Sequence, residues 1–153
     1  MKRNIALAAT LLALTSPAMS EPDYKDDRST AANLIASLYN AINRHEYARA
    51  YDYFATPPNT SYDAYVKGYA ETESVDVITG ETVADGTAGS TYYTVPTAIR
   101  ARDTKGGISY FAGCYTVRAV NGNIQDPPNR PLQIDSAKLK PAKEEDYGHY
   151  TLP

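Results

Sequence analysis

Fourteen tyrosines stand in this chain against two phenylalanines and no tryptophan. A tyrosine buries a ring and keeps a polar tip, so a tyrosine-rich interior suits a surface that meets a ligand with an apolar body and a hydrogen-bonding edge. Other chemistry-bearing residues are scarce. The two histidines, His45 and His149, show no His-x-His or His-x₃-His spacing and have no cysteine pair beside them, so no metal site is expected. No phosphate loop is present: Gly106-Gly107 reads as a turn, and Gly86 and Gly89 lack the helix and lysine that should follow. No Gly-x-Ser-x-Gly elbow occurs. Cys114 has no partner for an internal disulfide and reads as a small, inert, core-facing hydrophobe. Asn59-Thr60-Ser61 matches a glycosylation acceptor by three residues only. No catalytic set and no cofactor is expected from these residues.

The first twenty of the 153 residues read as a secretory signal peptide. Lys2 and Arg3 form the basic start, Ile5–Leu14 the apolar run, and Pro17-Ala18-Met19-Ser20 the small residues before a cut after Ser20. The apolar run is too short to anchor in a bilayer, so the mature chain is expected without a membrane span, in the periplasm or secreted. Loss of the leader removes two cations and no acid, and the formal charge moves from −3 to −5. An acidic surface argues against nucleic acid as a partner, since that needs a basic face. Residues 21–28 are charged and read as a flexible lead-in. Residues 29–142 are the domain, and 143–153 a loose tail.

The elements that must position the tyrosines follow from periodicity. Ser29 or Thr30 caps a helix running to about Asn43, with Leu34, Leu38, Ala41 and Ile42 at helical spacing. A second helix starts near Glu46 and carries Tyr47, Ala50, Tyr51 and Phe54. After Pro57-Pro58, Ser61 or Asp63 begins a third, with Tyr62, Tyr65, Val66 and Tyr69, weakened slightly by Gly68. Glu73–Thr79 alternates as a strand, with Val75 and Val77 on one face and Asp76 and Ile78 on the other. Gly80–Gly89 reads as a polar loop. Thr91–Val120 is a hairpin around Gly106-Gly107, with Tyr93, Val95, Ile99 and Ala101 facing the same way as Phe111, Gly113, Tyr115 and Val117. Gly122–Arg130 is a loop, and Pro131–Lys140 a last strand. The expected fold class is α+β: three N-terminal helices packed on a curved antiparallel sheet of about four strands.

This order resembles the nuclear transport factor two-like superfamily, the cone-shaped or ketosteroid-isomerase-like α+β fold. The resemblance is carried by Leu38-Tyr39-Asn40-Ala41-Ile42-Asn43, the short link after it, and Glu46-Tyr47-Ala48 opening the next helix. Phe111–Val117 and Ile134–Leu139 look like its closing strands, closest to small exported bacterial members with no assigned activity. The resemblance implies a cone with a cavity. Tyr39, Tyr51, Tyr65, Asp76, Tyr93, Phe111 and Tyr115 are the candidates to line it. It also implies a choice of roles: a binding or interaction module for a small apolar ligand or an envelope protein, an isomerase or hydro-lyase using a cavity carboxylate such as Asp76 with tyrosines, or a subunit that pairs with a second copy through its sheet. Tyr147 and Tyr150 sit where a tail could fold over the cavity mouth. The fold alone does not choose among these.

Overall fold

A computed structural model describes residues 20–58 and 61–148. Residues 1–19 of the leader, Asn59-Thr60 of the glycosylation match, His149 and Tyr150 lie outside the described residues.

The helices form where the sequence places their caps. Thr30 holds an extended backbone, and its hydroxyl accepts the Asn33 N–H at 3.1 Å, opening α1 (Ala31–Asn43). A short link through His45 leads to α2 (Tyr47–Asp52). The Ser61 hydroxyl accepts the Ala64 N–H at 3.1 Å and opens α3 (Tyr62–Gly68). α2 stops two residues short of Phe54. Tyr53 and Phe54 instead turn to meet the last strand in a short parallel bridge, where the Ile134 N–H donates to the Tyr53 carbonyl and Ala55 N–H to the Ile134 carbonyl, both at 2.8 Å.

The sheet is antiparallel and has five strands, one more than expected: β1 (Thr72–Thr79), β2 (Val83–Thr87), β3 (Ser90–Asp103), β4 (Ile108–Val120) and β5 (Gln133–Ala142). Their order is β1-β3-β4-β5, with β2 also paired to β3. The extra strand lies inside the stretch expected as a polar loop. It folds back on Ser90–Thr94 through a two-residue turn, where Gly89 takes φ +80°. All five of its residues are exposed, so it pairs through its backbone without an apolar face. The β3–β4 hairpin keeps the expected faces, and its register sets Tyr93 opposite Val117, Val95 opposite Tyr115 and Ile99 opposite Phe111. Cys114 therefore faces outward and is half-buried, correcting the expectation that it faces the core.

The core lies between the sheet's inner face and the helices. Leu34, Ile35, Leu38 and Ile42 of α1 pack with Val75, Val95, Val117 and Ile134, all buried. Each such side chain contributes about 1.5–3 kcal/mol relative to leaving it in water. Asn43, the last residue of α1, pins helix to sheet. Its side chain donates to the Val75 carbonyl at 2.8 Å and accepts the Val75 N–H at 2.7 Å, filling β1's edge as a neighbouring strand would.

The sheet cannot be flat. A β-carbon placed on Gly113 would stand 1.9 Å from the Lys138 carbonyl oxygen, so β5 rises over β4 at that point. Between Thr116 and Val117 the β4–β5 register slips, leaving Asp135 as the extra residue. The slip returns Ala137 and Leu139 to the face that carries Ile134.

Residues 22–27 lie along α1 and α2, held mainly by side chains that bind their backbone. Asn40 accepts the Lys25 N–H at 2.9 Å and donates to the Asp23 carbonyl at 2.8 Å. Ser37 Oγ accepts the Asp27 N–H at 2.8 Å. Arg49 donates to the Lys25 carbonyl at 2.7 Å, and Arg44 to that of Pro22. The Tyr24 ring lies under both guanidinium groups. Asp26 accepts from Arg28 and from the Tyr53 hydroxyl, and Glu46 holds Arg44 and Arg49. At Asp26 burial pushes the pKa up, but the hydrogen bonds from Arg28 and Tyr53 outweigh it and hold the carboxyl below its usual value. The Arg44 hydrogen bond does the same at Glu46, against a smaller burial effect.

Two predictions follow from this architecture. Gly113→Ala forces backbone apart and is expected to cost about 3 kcal/mol or more in urea unfolding; a loss under about 1 kcal/mol would mean the strands do not close there. Asp26 and Glu46 have depressed folded pKa values, so their contribution is full above the unfolded carboxylate range of about 4 and is lost as pH falls through the folded values. Hydrogen-exchange protection at the Lys25 and Asp27 amides is therefore expected to hold from neutral pH down to about 5 and to fall below about 4, ahead of the core amides. Protection unchanged in acid would show that these ion pairs do not hold the segment.

Candidate functional site

Tyrosines gather at the end of the inner face nearest α3. Tyr39 on α1 and Tyr115 on β4 bring their hydroxyls to 2.6 Å, both rings almost fully buried and edge-to-face at 6.4 Å. They meet because Tyr39 lies one turn after Ile35 on α1's buried face, while Tyr115 shares its sheet face with Val117. Beside them, Tyr65 and Tyr69 lie one turn apart on and after α3, ring centroids 5.2 Å apart. Tyr47 stacks on Tyr69, and Tyr51 and Phe54 meet Tyr65 edge-on.

Burial pushes the Tyr39 hydroxyl well above its ordinary pKa, and the neighbouring Tyr115 hydroxyl adds to this. Burial also raises Tyr115, against a smaller lowering by the hydrogen bond with Tyr39. Tyr65 and Tyr69 are raised mainly by burial as well. These groups are neutral phenols at any physiological pH. They can donate and accept hydrogen bonds but cannot serve as bases.

Two clefts open at this cluster. One, of about 200 Å³, runs between the sheet and α3 and is lined by Tyr39, Tyr69, Val75, Ile99, Phe111 and Leu139, with Gly68 and Thr72. The other, of about 330 Å³, is lined by Pro58, Tyr65, Gly68 and Tyr69. Gly68 and Tyr69 border both.

Of the residues expected to line one cavity, Tyr39, Tyr115, Phe111, Tyr65 and Tyr51 come together here. Asp76 does not. It lies on the outer face of β1, half-exposed, and pairs with Arg100 directly across the strand at 2.6 Å. Tyr93 lies on the inner face but at the far end of the hairpin, in a separate cleft of about 480 Å³ with Thr30, Ala31, Ala84 and Leu132. Tyr147 does not close the mouth. It packs on Tyr110 and beside Arg100, on the outer face, after a short 3₁₀ turn (Glu144–Asp146). Gly68, Tyr69, Thr72 and Leu139 were missing from the expected set. For Tyr69 a signal existed, since it stands four residues after Tyr65.

Among the described residues no carboxylate hydrogen-bonds the Tyr39 or Tyr115 hydroxyl, and no group of His, Cys, Asp or Glu side chains comes together as a metal site. Among them, too, no helix is long and apolar enough to cross a membrane. Comparison of the chain with protein-family models, with curated proteins and with solved structures gives no match.

The hydroxyl pair can be tested as a unit. Tyr39→Phe or Tyr115→Phe alone strands the other oxygen in the core and is expected to cost about 1–3 kcal/mol. The double variant should lose clearly less than the two together, because no buried hydroxyl of the pair remains. Additive losses in thermal or urea unfolding would show that the two hydroxyls are not coupled.

Proposed function

We propose that this chain is an exported, non-catalytic binding module of the nuclear transport factor two-like kind, which holds a small apolar ligand in the tyrosine-lined cleft between sheet and α3. The observation that carries this is the cleft's chemistry: an apolar wall with hydroxyls at one end and neither a carboxylate nor an imidazole among its lining residues. Such a site can orient a molecule by hydrogen bonding but has no group to move a proton to or from carbon at neutral pH. The isomerase or hydro-lyase alternative needs a cavity carboxylate such as Asp76, and Asp76 pairs with Arg100 on the other face while no other carboxylate lines this cleft.

The family assignment is supported by three helices preceding an antiparallel sheet and by the rise of β5 over β4, which bends the sheet toward a cone. Export to the periplasm or beyond is supported by the basic start, the apolar run and the small residues before Glu21. A second reading, pairing of two copies through their sheets, is favoured by the outer face. There Ala112 and Cys114 of β4 lie half-buried between the Tyr92–Arg118 and Arg100–Tyr110 pairs, with Pro96 and Ala98 of β3 buried beside them.

Native mass spectrometry of the protein purified without denaturation from the cells that make it tests these readings together. The expected result is a chain starting at Glu21 with an added small-molecule mass. A bare dimer would transfer the weight to the sheet-paired reading. A bare monomer would overturn the binding role, and a chain still carrying its first twenty residues would overturn export.

A further inference from the structure

Gly68 has no backbone reason to be glycine. It is the last residue of α3, its φ is not in the left-handed region, and a β-carbon built on it meets nothing within 4 Å. In a helix interior glycine is about 1 kcal/mol less favourable than alanine, and at the last helical residue a smaller cost of the same sign applies. The fold therefore tolerates a cost at a position where alanine fits without strain or contact. Gly68 is exposed and borders both clefts, so a side chain there would stand between them.

We propose that Gly68 is the gate that joins these clefts into one site, and that the ligand is an elongated, uncharged molecule lying across it. This rests on the binding role proposed above and adds the shape and charge of what is bound. Size argues for the joined site. The sheet-side cleft, at about 200 Å³, falls below the roughly 300–1,000 Å³ usual for ligand pockets, and joined to its neighbour it falls within that range. Charge argues for a neutral molecule. No Asp, Glu, Lys, Arg or His lines either cleft, so an ion seated there would lose its hydration without a counter-charge. The polar side chains among the lining residues are Thr72 and the tyrosines Tyr39, Tyr65 and Tyr69, all of them uncharged. Tyr69, stacked on Tyr47 and edge-on to Tyr65, borders both clefts beside Gly68.

The test uses the mature chain with two fluorescent probes that share a ring skeleton: neutral N-phenylnaphthylamine and its anionic counterpart, anilinonaphthalenesulfonate. Wild type is expected to bind the neutral probe and to bind the sulfonate at least about tenfold more weakly, the equivalent of ~1.4 kcal/mol. Gly68→Ala and Gly68→Leu are expected to melt at or above the wild-type temperature, because they remove a helix-weakening glycine and project into open space. Gly68→Leu should weaken the neutral probe by about tenfold or more, with Gly68→Ala between it and wild type. No binding of either probe by wild type would overturn the binding role, and the gate with it. Wild-type binding that Gly68→Leu leaves unchanged would overturn the gate alone. A leucine variant that melts well below wild type would show that the space is not open, with the same consequence. Equal or tighter binding of the sulfonate would overturn the uncharged ligand.

Discussion

A carbonyl oxygen occupies the place where any other residue at position 113 would carry its β-carbon, and the shape of the sheet depends on it. Gly113 stands between Phe111 and Tyr115 on the inner face, midway along β4. Because it has no side chain, β5 climbs over β4 there, and Leu139 leans toward α3 and shares a wall with Phe111. The slip at Asp135, a few residues away, keeps Ile134 in the core on one side of the bend and Leu139 in the cleft on the other. The other end of the inner layer is tied by Asn43, whose amide completes the backbone bonding of Val75. Bend and tie together fix the gap between sheet and α3. A flat sheet of the same composition has no reason to leave that gap.

The gap is walled by phenols where phenylalanine would have been simpler. A hydroxyl taken into an apolar site costs free energy unless it is bonded, at a scale of about 1–3 kcal/mol. Tyr39 and Tyr115 meet that demand by bonding each other at 2.6 Å. Neither partner is charged, so no counter-ion has to follow them into the core. Charge is kept elsewhere: Asp76 with Arg100 on the outer sheet, and Glu46, Arg44, Arg49, Asp26 and Arg28 on the outer side of the first two helices. Among the described residues the core is thus polar without charge, and the charges lie outside it.

Much of this was legible from residue order. α1 shows in the sequence because its cap and its apolar spacing agree, and the hairpin because both arms alternate around Gly106-Gly107. β2 could not show. Val83-Ala-Asp-Gly-Thr87 is exposed at every position and pairs through its backbone, so no side-chain pattern marks it. Alternation had already put Asp76 opposite Val75 and Val77, and its place among the candidates rested on chemistry where the face should have decided. Tyr93 illustrates a different limit. Period-2 spacing gives the face but not the place along it, and six residues of strand separate Tyr93 from Ile99 by about 20 Å. The hold on residues 22–27 was hidden because Ser37, Asn40, Arg44 and Arg49 grip mostly main chain, which no residue pattern in that segment announces.

The edges of the sheet narrow what the protein can meet. β5 presents Lys138, Lys140 and Pro141 along or beside its free edge, and its start is taken by Tyr53–Ala55 in the parallel bridge. Proline lacks a donor and lysines repel an incoming strand, which are the usual protections of an edge. On the opposite side, Asn43 fills part of β1's edge, and β2 is only five residues long. Strand addition is therefore disfavoured at both sides. The inner face belongs to the helices except where the clefts open, and the groove along α1 and α2 holds the chain's own residues 22–27. The surfaces left open include the tyrosine clefts, the cleft beside Tyr93 and the outer sheet face. The tyrosine clefts are walled in part by rings that stack on one another, with Gly68 at the border of both. The outer face carries Asp76 paired with Arg100 and Arg118 over Tyr92, while Pro96 and Ala98 between them are buried, so what that face shows to solvent is polar rather than apolar.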